Sequence, residues 1–163
     1  MRIAESLLSR RWILLATLGL AGASAATAVG DTDIAIVVRP DVPVDNLSFD
    51  DLRRLLLGNR QFWSSNLRVT LLVRAPGTRE RDVVLKTIYQ MSEAQFRQYW
   101  IAKVFRAEAT SSPRIVYSNE MAAEMAVAIP GAVAFVDASQ VPQGLKVLRI
   151  DGLLPGEKGY PLR

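Results

Sequence analysis

Apolar residues along the chain recur in two rhythms, one of strands and one of helices. In residues 33–39 (DIAIVVR), Ile34, Ile36 and Val38 fall at every second position and Val37 adds apolar weight, which predicts a strand. Pro40 ends it, and the stretch RPDVPVDNL reads as extended loop. Ser48 predicts a helix start, because its hydroxyl can accept from a first-turn amide; Asp50 and Asp51 sit at the positive end of that helix dipole. Leu52, Leu55 and Leu56 form the apolar stripe, and Gly58-Asn59 stops the helix. Residues 67–74 (LRVTLLVR) are β-rich and nearly all apolar, as a buried central strand requires.

After Ala75-Pro76-Gly77 a second helix is expected from Thr78, with Val84, Ile88 and Met91 at i, i+4 and i+7. Ser92-Glu93-Ala94-Gln95 has capping-box spacing and restarts the helical path, placing Phe96, Trp100 and Val104 along one face. Residues 115–117 predict a short strand. Ser118 caps a helix carrying Met121, Met125 and Ala128, and Pro130-Gly131 ends it. Residues 132–136 (AVAFV) predict a buried strand, and the alternating residues 145–150 (LKVLRI) the last one. The tail GLLPGEKGYPLR, with three Gly and two Pro, reads as irregular. The order β-α-β-α-α-β-α-β-β predicts an α/β fold: a single three-layer lobe with a mixed, partly parallel sheet of about five strands flanked by helices. No repeat and no Pro/Gly/Ser linker divides it. In open α/β sheets, ligands sit at the carboxyl ends of strands beside helix N-termini.

The first residues read differently. Arg2, Arg10 and Arg11 give a basic start, residues 12–20 (WILLATLGL) a short apolar run, and residues 21–26 (AGASAA) small side chains in A-x-A spacing. That order predicts a secretory signal peptide over residues 1–25, cleaved after Ala23 or Ala25, and a periplasmic domain over residues 26–163. The alternatives are an amphipathic first helix or an uncleaved anchor. Cleavage would remove three basic residues and one acidic one, leaving 17 basic and 15 acidic side chains and a net charge of +2. Such a balance, without a Lys/Arg block interleaved with aromatics, argues against nucleic acid as a partner.

The chain has neither cysteine nor histidine. Disulfides, thiol nucleophiles, thiolate metal sites, a Ser-His-Asp triad and an HExxH zinc site are thereby excluded. Asp50/Asp51 and Glu120/Glu124 read as helix-terminal or solvated carboxylates and do not converge into an acid/base pair. No metal spacing is present, no cofactor is implied, and an enzyme is disfavoured. Trp63 reads as a packing anchor, Phe96 and Trp100 as core, and Gly131 as a turn residue.

The sharpest candidate is the loop 74–79. A strand ends in Arg74, a tight Pro76-Gly77 turn follows, and a helix opens at Thr78 and Arg79. First-turn amides lack intrahelical partners and carry partial positive charge, Gly77 permits close backbone approach, and Arg74 and Arg79 can add bidentate contacts to an oxyanion. The structural alternative makes Thr78 an N-cap and Gly77 a turn residue, with the arginines paired to Glu80, Asp82 or a neighbouring loop.

Five segments in order resemble the phosphate-binding proteins of bacterial ABC transporters, in the type II periplasmic binding protein superfamily. They are IAIVVRPDVPVDNLSFDDL, LRRLLLGNRQFW, VTLLVRAPGTRERDVVL, SNEMAAEMAVAIPGAVAFV and KVLRIDGLLPGEKGYPL. They resemble that family's crossover strand, its Phe-Leu-Gly-Lys…Trp block, its Arg…Gly-Ser-Gly-Thr loop, its Pro-Gly-Ala-Ile-Gly-Tyr-Val strand and its Asp-Gly…Pro…Tyr-Pro-Leu tail. The resemblance implies a secreted, non-catalytic α/β protein that binds phosphate or a similar oxyanion through Arg74, Gly77, Thr78 and Arg79. A membrane permease or a sensor protein is the implied protein partner. Two departures stand out. The loop carries Ala-Pro-Gly-Thr where the family has Gly-Ser-Gly-Thr, so Pro76 replaces a serine and removes a hydroxyl and an amide donor. The N-terminal region that contributes a first lobe and a second anion loop is expected to be missing, which implies weak binding. The competing expectation is a protein-interaction or sensor-accessory module that keeps the lobe but has lost ligand capture.

Overall fold

A computed structural model describes residues 32–64 and 66–163; the segment expected to be a leader, residues 1–25, lies outside them. The central sheet has five strands in the order β6-β5-β7-β1-β8. These are β1 (Ile34–Val38), β5 (Thr70–Arg74), β6 (Arg114–Val116), β7 (Ala132–Asp137) and β8 (Lys146–Val147). β5 pairs parallel to both β6 and β7, whereas β1 pairs antiparallel to β7 and to β8. The expected mixed, partly parallel α/β sheet is therefore the one formed. The carboxyl ends of β5, β6 and β7 consequently share one edge with the start of β1.

Both faces of the sheet are covered, and alternation along the strands divides the core. Ile34, Ile36, Val38, Val133 and Phe135 face a large cluster with Leu52, Leu55, Ile88, Phe96 and Trp100. Those partners come from α1 (Phe49–Leu56), the π-helical turn Leu85–Tyr89 that continues α2 (Arg79–Val84), and α3 (Glu93–Phe105). Ala35, Val37, Ala132, Ala134 and Val136 face the opposite layer, where α4 (Asn119–Ala128) packs through Ala122 and Ala126. Small side chains on both surfaces let α4 lie close to the strands, and burial on both faces explains why β1 reads as a continuous apolar run.

The predicted caps form. Ser48 accepts from the Asp51 amide and Ser118 from the Met121 amide, and Ser92 and Gln95 make a reciprocal capping box. Trp63 is an anchor as expected: it is buried and its indole N–H donates to the Gly131 carbonyl at 2.8 Å.

Four expectations need correction. Residues 67–74 are two strands, since β4 (Leu67–Arg68) pairs with β3 (Phe62–Ser64) outside the main sheet. Residues 145–150 also divide, with β8 in the main sheet and β9 (Arg149–Ile150) parallel to β2 (Asn46–Leu47). The strand expected at 115–117 starts one residue earlier, at Arg114, and Tyr117 is exposed beyond its end. On α3, Phe96 and Trp100 are buried but Val104 is 37% exposed, and Lys103 is buried instead. At about 100° per residue, position 104 is rotated about 80° from Phe96 and position 103 only about 20°. The tail has no long strand, yet it is core: Tyr160 and Leu162 are buried, and the Tyr160 hydroxyl donates to the Ile34 carbonyl at 2.7 Å.

Candidate functional site

The loop 74–79 lies at the shared strand edge. Arg74 is the last residue of β5, in register with Val116 at the end of β6. The chain then turns through Gly77, whose φ of +83° is one that residues with a Cβ rarely adopt. Thr78 takes the N-cap position of α2, but its hydroxyl does not cap the helix; it donates back to the Ala75 carbonyl at 2.8 Å. The hydroxyl thus closes the turn and leaves the helix's opening amides to other acceptors.

Arg74 is the unusual member. It is 93% buried, its Nη2 lies 3.6 Å from Glu80 Oε1, and its Nε and Nη1 are buried without hydrogen-bond partners among the described residues. A guanidinium has five N–H donors, so one carboxylate contact leaves most of them unused. Donors left without acceptors in the interior are costly. The Arg74 charge also helps hold the Glu120 carboxyl below its ordinary range, after larger effects from its own amide and the Ser118 hydroxyl. Glu120 is in the first turn of α4, so two helix starts flank Arg74.

Arg79 is held differently. Its guanidinium donates to the Thr32 carbonyl and lies 3.8 Å from Asp137 Oδ2 at the end of β7. Burial raises the Asp137 pKa, but hydrogen bonds from Ser139 and Thr32 and the charge of Arg79 outweigh it, so Asp137 stays ionised below the usual range. All four predicted residues therefore share one turn, but Arg74 and Arg79 each face a carboxylate, Glu80 and Asp137.

The residue that shapes this turn, Arg81, was not singled out from the sequence. Its Nη1 donates to the Arg74 carbonyl at 2.8 Å, and its Nε and Nη2 make a fork with Glu93 at 2.8 and 2.6 Å. Its guanidinium also lies over the Phe96 ring at 4.7 Å. The signal was legible. Arg81, Val84, Leu85 and Ile88 stand at i, i+3, i+4 and i+7, so a charge occupies the core-facing stripe.

Solved structures share this architecture. A phosphate ABC transporter substrate-binding protein of Clostridium perfringens, with bound phosphate, superposes with a TM-score of 0.60 at 15% identity, over 76% of this chain and 46% of that one. PstS of Borrelia burgdorferi gives 0.64 at 15% identity, over 80% and 54%. An ABC-type phosphate transport receptor of Vibrio cholerae gives 0.61 at 18% identity, over 76% and 48%. The chain shares their fold. It spans about half the length of these proteins. No protein-family model and no curated protein sequence matches it. Among the described residues no helix is long and apolar enough to cross a membrane.

Proposed function

We propose that the chain is a secreted, non-catalytic lobe that binds phosphate or a similar oxyanion weakly through Arg74, Gly77, Thr78 and Arg79. The observation that carries this reading is Arg74: a buried guanidinium with two nitrogens lacking acceptors, at a strand edge flanked by two helix starts. An oxyanion there would supply the missing acceptors and meet the positive ends of both helices. Secretion rests on the leader pattern of residues 1–25, and periplasmic residence with a permease or sensor as partner is read by analogy with the phosphate-transport proteins whose fold the chain shares. Glu80 and Asp137 already offset part of the cationic charge, so the affinity expected is millimolar, about −4 kcal/mol.

Those same two carboxylates favour the second reading, a protein-interaction or sensor-accessory module without ligand capture. Calorimetric titration with phosphate separates the two. Saturable heats that Arg74→Ala abolishes support the binding reading, and Arg74→Lys should weaken binding substantially because the planar fork is lost. Pro76→Ser restores an amide and a hydroxyl and should strengthen it. Flat heats up to tens of millimolar phosphate favour the second reading.

A further inference from the structure

Most arginines among the described residues face a carboxylate, as in Arg39–Asp41 at 3.1 Å and Arg149–Glu157 at 3.7 Å. Five described arginines, Arg53, Arg60, Arg68, Arg97 and Arg114, have no such ion pair, and three of them, Arg60, Arg68 and Arg114, line one cavity of about 220 Å³. Its wall contains no aspartate or glutamate. Hydroxyls of Thr70 and Ser112 line it too, with Trp100, whose buried indole N–H has no acceptor among the described residues. The wall thus brings three arginines and several hydroxyl-bearing residues, all able to donate, together with apolar ones such as Leu55, Val69 and Leu71.

This cavity is separate from the loop 74–79. Thr70 begins β5 and Arg114 begins β6, so the cavity lies at the opposite end of the parallel strands. Arg74 is four residues along β5 from Thr70, about 13 Å at the rise of an extended strand. Two of the arginines are already oriented. Arg60 Nε donates to the Phe62 carbonyl at 3.3 Å and its guanidinium lies over the Trp63 ring, while Arg68 donates to the Thr110 hydroxyl and lies over Phe62. Guanidinium groups held by carbonyls, hydroxyls and rings have no counter-charge beside them, unlike those paired with a carboxylate.

We propose that this cavity is a second ligand site, for a small oxyanion carrying at least two negative charges, of the pyrophosphate or polycarboxylate class. Three like charges around one open cleft repel one another, and a multivalent anion turns that repulsion into attraction while supplying acceptors to guanidinium N–H groups. A volume of about 220 Å³ suits a small ion rather than a peptide.

The test is titration of the full chain with pyrophosphate, followed through the Trp100 indole N–H resonance by NMR. The result expected is a saturable shift of that resonance, weakened by added salt. The Arg68→Gln/Arg114→Gln double variant should raise the half-saturation concentration about tenfold or more, the equivalent of about 1.4 kcal/mol. Arg114→Gln alone, at an exposed position of an edge strand, should raise it at least about threefold and serves if the double variant fails to fold. Arg74→Ala should leave the Trp100 shift unchanged. An unshifted Trp100 signal, a shift indifferent to both arginine variants, or one abolished by Arg74→Ala overturns the proposal. So does displacement of pyrophosphate by a poly-glutamate peptide that binds more tightly. Because Trp100 and Arg74 are probed separately, failure here leaves the oxyanion reading of the loop to its own calorimetric test.

Discussion

Two glycines carry opposite constraints. Gly131 has φ of +70°, and a Cβ placed there would lie 2.0 Å from the Arg68 carbonyl oxygen. The Gly131 carbonyl also receives the Trp63 indole at 2.8 Å and the Thr70 amide at 3.1 Å, so this turn cannot shift without breaking both. Gly77 has φ of +83° but open space where its Cβ would be. Gly77→Ala should therefore cost only the left-handed penalty, about 1–2 kcal/mol. Gly131→Ala adds overpacking against backbone and should cost roughly 3 kcal/mol or more. Denaturant unfolding of the two variants checks this; equal losses would mean that the Arg68–Gly131 contact is not constraining.

At the scale of the element, α3 joins the core to the candidate loop. Trp100 is 3% exposed and meets Tyr99 edge-on at a centroid distance of 5.6 Å. Trp100→Ala should cost about 3–5 kcal/mol, whereas Val104→Ala, at an exposed position, should stay within about 0.5 kcal/mol. Chemical denaturation of both variants checks the contrast. The first residue of α3, Glu93, is held below the ordinary carboxylate range mainly by hydrogen bonds from Arg81, against a push upward from burial. Its folded pKa lies below its unfolded value. The stability it contributes is therefore complete above the ordinary glutamate value, about 4.3, and is lost as pH falls through the lowered folded value. Melting temperature should fall on acidification below about pH 5. Glu93→Gln should reduce that slope while destabilising the neutral protein by on the order of 3 kcal/mol, because Arg81 is left buried without its counter-charge. Thermal melts of both proteins across acid pH read this directly; an unchanged slope in the variant would assign the acid sensitivity to other carboxylates.

For the whole molecule, the parallel strands of the sheet carry the candidate loop at one end and a cluster of arginines at the other. The strand carboxyl ends, the starts of α2 and α4, and both Thr32 and Leu162 gather at the edge near Arg74; Leu162 accepts from the Ile34 amide at 2.9 Å. The cavity of Arg60, Arg68 and Arg114 lies at the other end. All of the described core lies after Thr32, so cleavage ahead of residue 26 removes none of it. The exported protein should begin near Ser24 or Ala26 and melt cooperatively. Intact mass and N-terminal sequencing check the processing, and full-length protein confined to the cytoplasm would count against it.

By itself the sequence determined what depends on neighbours along the chain. The strands β1 and β7, the serine caps of α1, α3 and α4, the turn at Gly77 and the absence of cysteine and histidine chemistry all follow from local rules: alternation, capping hydrogen bonds and residue inventory. It also brought Arg74, Gly77, Thr78 and Arg79 together, because a strand-turn-helix sequence is local. Only the tertiary structure decided the partners of those residues. Of the carboxylates the sequence offered, Glu80 stands beside Arg74, and Asp137 faces Arg79 because β7 lies beside β5 in the sheet. Strand division at Val69 and Leu148, burial of the tail, and the meeting of Arg60, Arg68 and Arg114 at one cavity likewise depend on long-range packing. Periodicity places a side chain on a face; which charge stands opposite it is set by the pairing of elements distant in sequence.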